Sequence, residues 1–199
     1  MKGIGTGRLF TDHAPKYERV ERERRYLLTQ VPEGLKLQDP HAQITDNYIT
    51  GTRLRLRKSR WVPANEWTLK FTQKHTPRPP DFSRTLITSF YLDEIEYETL
   101  SVFEGNELRK NRYPFEHEGR KYSVDVFLGA LYGLILAETD FDDDTEMDNF
   151  PVPPFAARDV TNDVIFTGGH LAFTTIDELR AELKKRNDEV GTMNGEPKA

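Results

Sequence analysis

Charged and apolar residues alternate over several short segments of the chain, which is the pattern of half-buried β-strands. The segment Arg53-Leu54-Arg55-Leu56-Arg57 alternates strictly, and residues 67–72 follow the same two-residue period. A helix is predicted over 92–103 from apolar residues at helical spacing, and another over 176–186 from an acidic first turn and a basic last turn. The remaining predicted strands cover 17–29, 44–59 in two pieces, 82–91, 107–116, 121–128 and 134–141.

The first predicted strand places two carboxylates and a guanidinium on one face. Glu21, Glu23 and Arg25 stand at every second position, and alternate residues of a strand point to the same side. An ordinary barrel fills its interior with apolar side chains, and burying unpaired charges is costly. A closed barrel around a wet, charged tunnel avoids that cost and also removes the sheet edges. The sequence therefore predicts an α+β fold built on such a barrel.

Charged residues at alternate positions recur in nearly every predicted strand, and they fall into two chemical groups. Guanidinium and ammonium groups match phosphate oxygens, whereas clustered carboxylates suit a hard cation such as Mg²⁺ or Mn²⁺. The predicted substrate-binding residues are Arg25, Arg53, Arg55, Lys70, Arg84, Lys110 and Arg112, with Arg57 as a further candidate. The predicted metal ligands are Glu21, Glu23, Glu138 and Asp140, and the predicted catalytic residues are Glu21, Glu23, Arg25 and Glu138.

The same segments, in this order, resemble the signature strands of the CYTH superfamily, the triphosphate tunnel metalloenzymes. Glu21-x-Glu23-x-Arg25 is similar to the E-x-E-x-K signature, Thr68-Leu69-Lys70 to a T-x-K strand, and Lys110-Asn111-Arg112-Tyr113 to a K-x-R-Y strand. The resemblance covers roughly residues 18–175, and its specificity lies in the order and number of the motifs. The other matching segments are Tyr48 to Arg55, Asp125 to Asp140, and Asp159-Val160-Thr161.

The resemblance implies a topologically closed antiparallel barrel of about eight strands with flanking helices. It also implies a divalent metal and a substrate that carries a linear triphosphate. Three positions depart from the family pattern. Arg25 replaces the signature lysine, Asp140 replaces a glutamate, and Leu86 and Thr88 stand where the strand beginning at Arg84 should carry two acids.

The leading functional hypothesis is a metal-dependent hydrolase of inorganic triphosphate or of a small organic triphosphate. Two alternatives remain open from the sequence. One is a class IV-like adenylate cyclase, which would need a purine pocket that no motif identifies. The other is a non-catalytic protein that binds polyphosphate or nucleotide, which the missing acids at Leu86 and Thr88 suggest.

Composition narrows the class of protein further. The chain has 199 residues. Its net charge of −5 argues against nucleic-acid binding, and the absence of cysteine excludes disulfides. The longest strongly apolar run, 127–137, is too short to span a bilayer, and we expect no signal peptide and a cytoplasmic location. We expect a flexible leader over 1–16, one tunnel-barrel domain over 17–187 and a disordered tail over 188–199. A small triphosphate is the expected partner, and the oligomeric state stays open.

Overall fold

The computed structural model of the protein describes residues 18–193, with side chains described over 18–186. The predicted leader, 1–16, and the last part of the predicted tail, 194–199, lie outside the described residues. Within the described part the chain forms nine strands. Their bounds are β1 Arg19–Leu28, β2 Ala42–Ile49, β3 Leu54–Trp61, β4 Glu66–His75, β5 Arg84–Tyr91, β6 Gly105–His117, β7 Arg120–Phe127, β8 Ile135–Asp140 and β9 Arg158–Asp159.

The sheet closes on itself, as the alternating charges predicted. Its strand order is β5-β4-β3-β2-β6-β7-β8-β1, and β1 pairs with β5 to complete an eight-stranded antiparallel barrel. At this closure Glu21 of β1 lies opposite Thr85 of β5. The two-residue strand β9 pairs with Tyr26 and Leu27 of β1 and so adds to the sheet beside the closure.

The strand register decides which side chains share the interior. Residues directly opposite each other in antiparallel strands lie on the same face of a sheet. Arg25 of β1 pairs with Glu138 of β8, and Arg57 of β3 pairs with both Asp46 of β2 and Lys70 of β4. All five of these side chains are therefore on the inner face of the barrel.

Apolar packing lies outside the barrel and at one of its ends, which leaves the middle of the interior to polar groups. One buried cluster covers the outer faces of β1 and β6 to β8 and is centred on Tyr26, Tyr113 and Val124. A second cluster joins the barrel to the C-terminal segment. Its members are Leu108, Phe127, Leu131, Leu134, Leu136, Val160, Ile165, Phe166, Leu171 and Leu179.

The helices are short apart from the last one. They are α1 Glu94–Leu100, α2 Asp144–Asn149, α3 Gly168–Leu171 and α4 Ile176–Met193, with 3-10 turns at Gly129–Leu131 and Val164–Phe166. The helix predicted over 92–103 is present but shorter, because Asp93 caps its start through a hydrogen bond from the Glu96 amide of 2.8 Å. None of the described helices is long and apolar enough to cross a membrane.

Two helices belong to the C-terminal half of the described residues. The acidic segment 142–154 contains α2, whose first turn is capped by the Asp143 side chain. Helix α4 continues to Met193 and so extends over residues 188–193, which fall within the predicted tail.

Candidate active site

The barrel encloses a cavity of about 330 Å³, which we call the barrel cavity. Apolar side chains of the C-terminal cluster, including Phe127 and Phe166, form one part of its lining. The rest of the lining is densely charged. The charged lining residues are Glu21, Glu23, Arg25, Arg53, Arg55, Arg57, Lys74, Lys110, Arg112 and Glu138.

Strands β1 and β8 bring the predicted catalytic acids together. Glu138 accepts a hydrogen bond of 3.0 Å from Nε of Arg25 and a second, short one from Arg112. Arg25 also donates from Nη2 to Glu23 at 2.5 Å. The carboxylates and guanidiniums at this place in the lining therefore neutralise each other.

The pKa values of Glu23 and Glu138 are shifted in opposite directions. Burial, together with the negative charge of Glu138, raises the pKa of Glu23. Burial opposes ionisation of Glu138 as well, but the charges of Arg112 and Lys110 outweigh it and hold the pKa of Glu138 well below its usual range. The charge of Glu23 is therefore less compensated by its neighbours than that of Glu138.

The predicted metal ligands fit a divalent cation in their chemistry. Glu21, Glu23 and Glu138 line the cavity, and Asp140 lies opposite Glu23 in the register, exposed at the end of β8. All four offer carboxylate oxygens, the donors that Mg²⁺ and Mn²⁺ prefer. Among the described residues, however, no three acids or histidines already stand close enough to hold a metal ion. Glu23 and Glu138 already accept hydrogen bonds from Arg25 and Arg112, so a cation would use the oxygen lone pairs that these donors leave free.

Most of the predicted substrate-binding cations reach the cavity, and one sits beside it. Arg25, Arg53, Arg55, Lys110 and Arg112 belong to its lining. Lys70 shares the inner face of β4 but is not part of the lining, and its ammonium group lies 5.1 Å from the ring centre of Tyr91. Burial and the nearby charge of Arg57 lower the pKa of Lys70.

Arg84 is placed on the outer face of β5, contrary to the prediction that it binds substrate. It lies opposite Arg22, a neighbour of Glu21, and donates to Asp144 at 2.9 Å and to Asp148 at 2.8 Å. Leu86 and Thr88, where the family pattern has acids, lie at alternate positions from Arg84 and therefore also face outward. The inner face of β5 is formed instead by the alternate residues Thr85, Ile87 and Ser89, none of which is acidic.

Sequence reasoning missed Lys74, the lysine of β4 that reaches the cavity. Its ammonium group forms an ion pair with Glu21, and the charges of Glu23 and Glu21 raise the pKa of Lys74 against the opposing effect of burial. The signal was available, because Thr72-Gln73-Lys74 repeats the spacing of Thr68-Leu69-Lys70. Only the register of β4 separates the two lysines.

Sequence reasoning also missed the roles of two buried aspartates that hold basic side chains of the cavity lining. Asp125 of β7 is fully buried and accepts hydrogen bonds of 2.7 and 2.6 Å from Arg112, together with a short contact from Lys110. Asp46 of β2 is 1% exposed and accepts bonds of 2.6 and 2.7 Å from Arg57. Asp125 thus fixes two of the predicted phosphate-binding side chains, and Asp46 fixes Arg57.

Known proteins of similar sequence include two named inorganic triphosphatases. One, from Acetivibrio thermocellus, is 34% identical over 95 residues, which is 42% of this chain. The match spans 60% of that relative's length. The other, from Nitrosomonas europaea, is 26% identical over 167 residues and covers 78% of this chain and 98% of the relative.

Solved structures support the fold. The crystal structure of an inorganic triphosphatase superposes with a TM-score of 0.52 at 24% identity, covering 77% of this chain and 95% of that one. No protein-family model matches the chain. The chain is thus similar in sequence to two inorganic triphosphatases and similar in fold to a solved one, and its closed eight-stranded barrel is the fold that the order of its charged strand motifs implies.

Proposed function

We propose that the protein is a divalent-metal-dependent hydrolase of a triphosphate, either inorganic triphosphate or a small organic triphosphate. The observation that carries this proposal is the barrel cavity, whose lining combines the carboxylates of Glu21, Glu23 and Glu138 with a larger number of basic side chains. The names of the two similar proteins, both inorganic triphosphatases, support the same activity.

The basic side chains of the cavity lining can position a triphosphate and neutralise its charge. Catalysis of this reaction rests on positioning and on neutralising charge, with little covalent chemistry for the protein to perform. Arg55 and Arg112 present planar guanidiniums that match phosphate oxygens, while Lys74 and Lys110 act as point charges. Arg53, exposed at the turn before β3, binds the end of the triphosphate nearest to solvent.

The acidic side chains of the cavity lining would hold the cation. Glu23 and Glu138 are its central ligands, with Glu21 and Asp140 on the same inner face. When bound, Mg²⁺ or Mn²⁺ neutralises phosphate charge and polarises the phosphoryl group that is attacked by water. Arg25 holds Glu23 and Glu138 in place through its two hydrogen bonds and keeps their oxygens directed into the cavity.

Phosphate release from the purified protein tests the proposal. Tripolyphosphate, ATP and thiamine triphosphate are each incubated with Mg²⁺, with Mn²⁺ and with EDTA. We expect release from at least one substrate with metal and none with EDTA. A folded protein that releases phosphate from none of the three under any metal condition would refute the proposed function.

The same assay separates the two alternatives left open by the sequence. Cyclisation of ATP would give cyclic AMP and pyrophosphate in place of ADP and phosphate. A non-catalytic binder would bind tripolyphosphate in calorimetry with EDTA present and release nothing. The two relatives described above are named as triphosphatases, which favours neither alternative.

A further inference from the structure

The carboxylate of Asp46 lies between two arginines of the neighbouring strand. Both of its oxygens accept hydrogen bonds from Arg57, Oδ1 from Nε at 2.6 Å and Oδ2 from Nη2 at 2.7 Å. Nε of Arg55 lies 3.6 Å from Oδ1, which is an ion pair but too long for a hydrogen bond. Because Asp46 is 1% exposed, this arrangement is shielded from water.

The two arginines are therefore bound differently. The fork of Arg57 is fixed by a bidentate contact, which sets both its position and its plane. Nε of Arg55 is buried and has no hydrogen-bond partner among the described residues, although its guanidinium lines the barrel cavity. A buried donor without an acceptor is costly, so an incoming oxygen at this point gains the bond that the protein does not make.

The charges of Asp46, Arg57 and Arg55 also indicate that the two arginines differ. Burial opposes ionisation of Asp46, but Arg57 and Arg55 lower its pKa, so it remains a carboxylate at neutral pH. Asp46 gives both of its hydrogen-bond acceptors to Arg57 and only a 3.6 Å ion pair to Arg55, so the charge of Arg57 is the more closely compensated of the two. Arg55 also interacts with Tyr48 and with the charge of Glu21, but its Nε has no hydrogen-bond partner among the described residues.

We propose that Asp46 is a positioning residue that binds Arg57 as an anchor and leaves Arg55 to bind a phosphate oxygen of the substrate. The proposal rests on the triphosphate hydrolysis proposed above. Arg57 and Arg55 stand at equivalent positions in the sequence pattern, but in this proposal Arg57 has a structural role and Arg55 is the phosphate ligand. Asp46 itself touches no substrate and acts only through these two side chains.

Three variants test the division. In Asp46→Asn the charges of Arg57 and Arg55 are no longer compensated, so Arg55 is displaced; we expect kcat to fall about tenfold or more while KM does not rise. In the double variant Asp46→Asn/Arg57→Gln both partners become neutral amides, so one negative and one positive charge are removed together and the net charge beside Arg55 is unchanged. We expect its kcat and KM to stay within about threefold of wild type. In Arg55→Gln the ligand itself is lost, and we expect KM to rise about tenfold or more.

Asp144→Asn is the matched control, because Asp144 pairs with Arg22 and Arg84 on the outer face. It should leave kcat and KM unchanged. Melting temperatures are measured for all variants, so that a loss caused by unfolding is recognised, and the double variant still tests the proposal if Asp46→Asn does not fold. A double variant that loses activity as Arg55→Gln does, or an Asp46→Asn variant with wild-type kcat, would overturn the inference.

Calorimetric binding of tripolyphosphate keeps this test separate from the proposed function. If the wild-type protein binds tripolyphosphate without hydrolysing it, the hydrolase proposal fails while the roles of the arginines are still measured. The double variant should then keep wild-type affinity and Arg55→Gln should lose it. Equal losses in the two variants would refute the assigned roles irrespective of turnover.

Discussion

The ammonium group of Lys74 forms an ion pair with the carboxylate of Glu21 inside the barrel. Lys70, on the same face of β4, lies beside the ring of Tyr91 and outside the cavity lining. This relationship places Lys74, and not Lys70, in the lining of the barrel cavity. It also pairs the first acid of β1 with a cation across the barrel closure.

Lys74→Met should therefore reduce activity more than Lys70→Met. The first substitution removes a cavity cation and leaves Glu21 without its partner, and we expect kcat/KM to fall about tenfold or more. The second removes a charge beside the cavity, and we expect a change of about twofold. Steady-state kinetics with tripolyphosphate provides the measurement. Equal losses, or a larger loss for Lys70→Met, would show that the assignment is wrong.

Arg84→Gln should leave KM unchanged, in contrast to Arg55→Gln. Arg84 binds Asp144 and Asp148 on the outer face, so its loss removes contacts between β5 and α2 but no substrate contact. Exposed ion pairs contribute little, so we expect a stability change within about 1 kcal/mol. A KM raised by Arg84→Gln as strongly as by Arg55→Gln would place Arg84 at the substrate and contradict the register of β5.

Glu23→Gln and Glu138→Gln should each abolish turnover. A neutral amide of the same shape gives up the charge that a divalent cation needs, while the strands keep their pairing. Glu146→Gln is the control, because Glu146 forms its ion pair with Arg120 at 2.6 Å, outside the cavity lining. Phosphate release is measured beside the melting temperature of each variant. Near wild-type activity in both Glu23→Gln and Glu138→Gln would show that the metal does not bind at these two carboxylates.

Gly168→Ala should destabilise the fold, whereas Gly169→Ala should not. A Cβ atom at Gly168 would overlap the Tyr48 hydroxyl and lie 3.0 Å from Cζ of that ring. A Cβ at Gly169 would meet no atom within 4 Å. Overpacking of this kind costs about 1–3 kcal/mol, so we expect that loss in the free energy of unfolding for Gly168→Ala. Urea denaturation measures it, and equal stabilities of the two variants would argue against the close contact.

Alternation along single strands predicted the core of the candidate site correctly. The period of two in β1 fixes Glu21, Glu23 and Arg25 on one face whatever the rest of the chain does. The inward position of that face follows because the opposite face carries Tyr26 and Leu28, which the outer apolar cluster buries. Local pattern and global packing agree in this strand, so the sequence was sufficient.

Alternation alone did not identify which lysine of β4 lines the cavity, nor which face of β5 points inward. Lys70 and Lys74 have the same parity, and their distance from the cavity depends on the stagger between β4 and its neighbours. In β5 the inner parity is set by the pairing of Thr85 with Glu21, a contact between strands far apart in the chain. Arg84 therefore matched a motif and yet faces outward.

The two buried aspartates were invisible for a similar reason. Asp46 becomes a partner of Arg57 only through the β2–β3 register, and an isolated aspartate in a polar strand gives no local sign of burial. Helix α2 is a different case. Its cap, Asp143, and the following Glu146 were present in the sequence, but an acidic segment that runs into several prolines is typical of a loop.

A crystal structure of the protein with tripolyphosphate and Mn²⁺, with anomalous data collected at the manganese edge, tests the central claim most directly. The account predicts an anomalous peak bounded by carboxylate oxygens of Glu23 and Glu138, and triphosphate density in the barrel cavity within hydrogen-bonding distance of Arg55. Triphosphate bound on the outer face beside Arg84, or manganese away from the acids of β1 and β8, would contradict it.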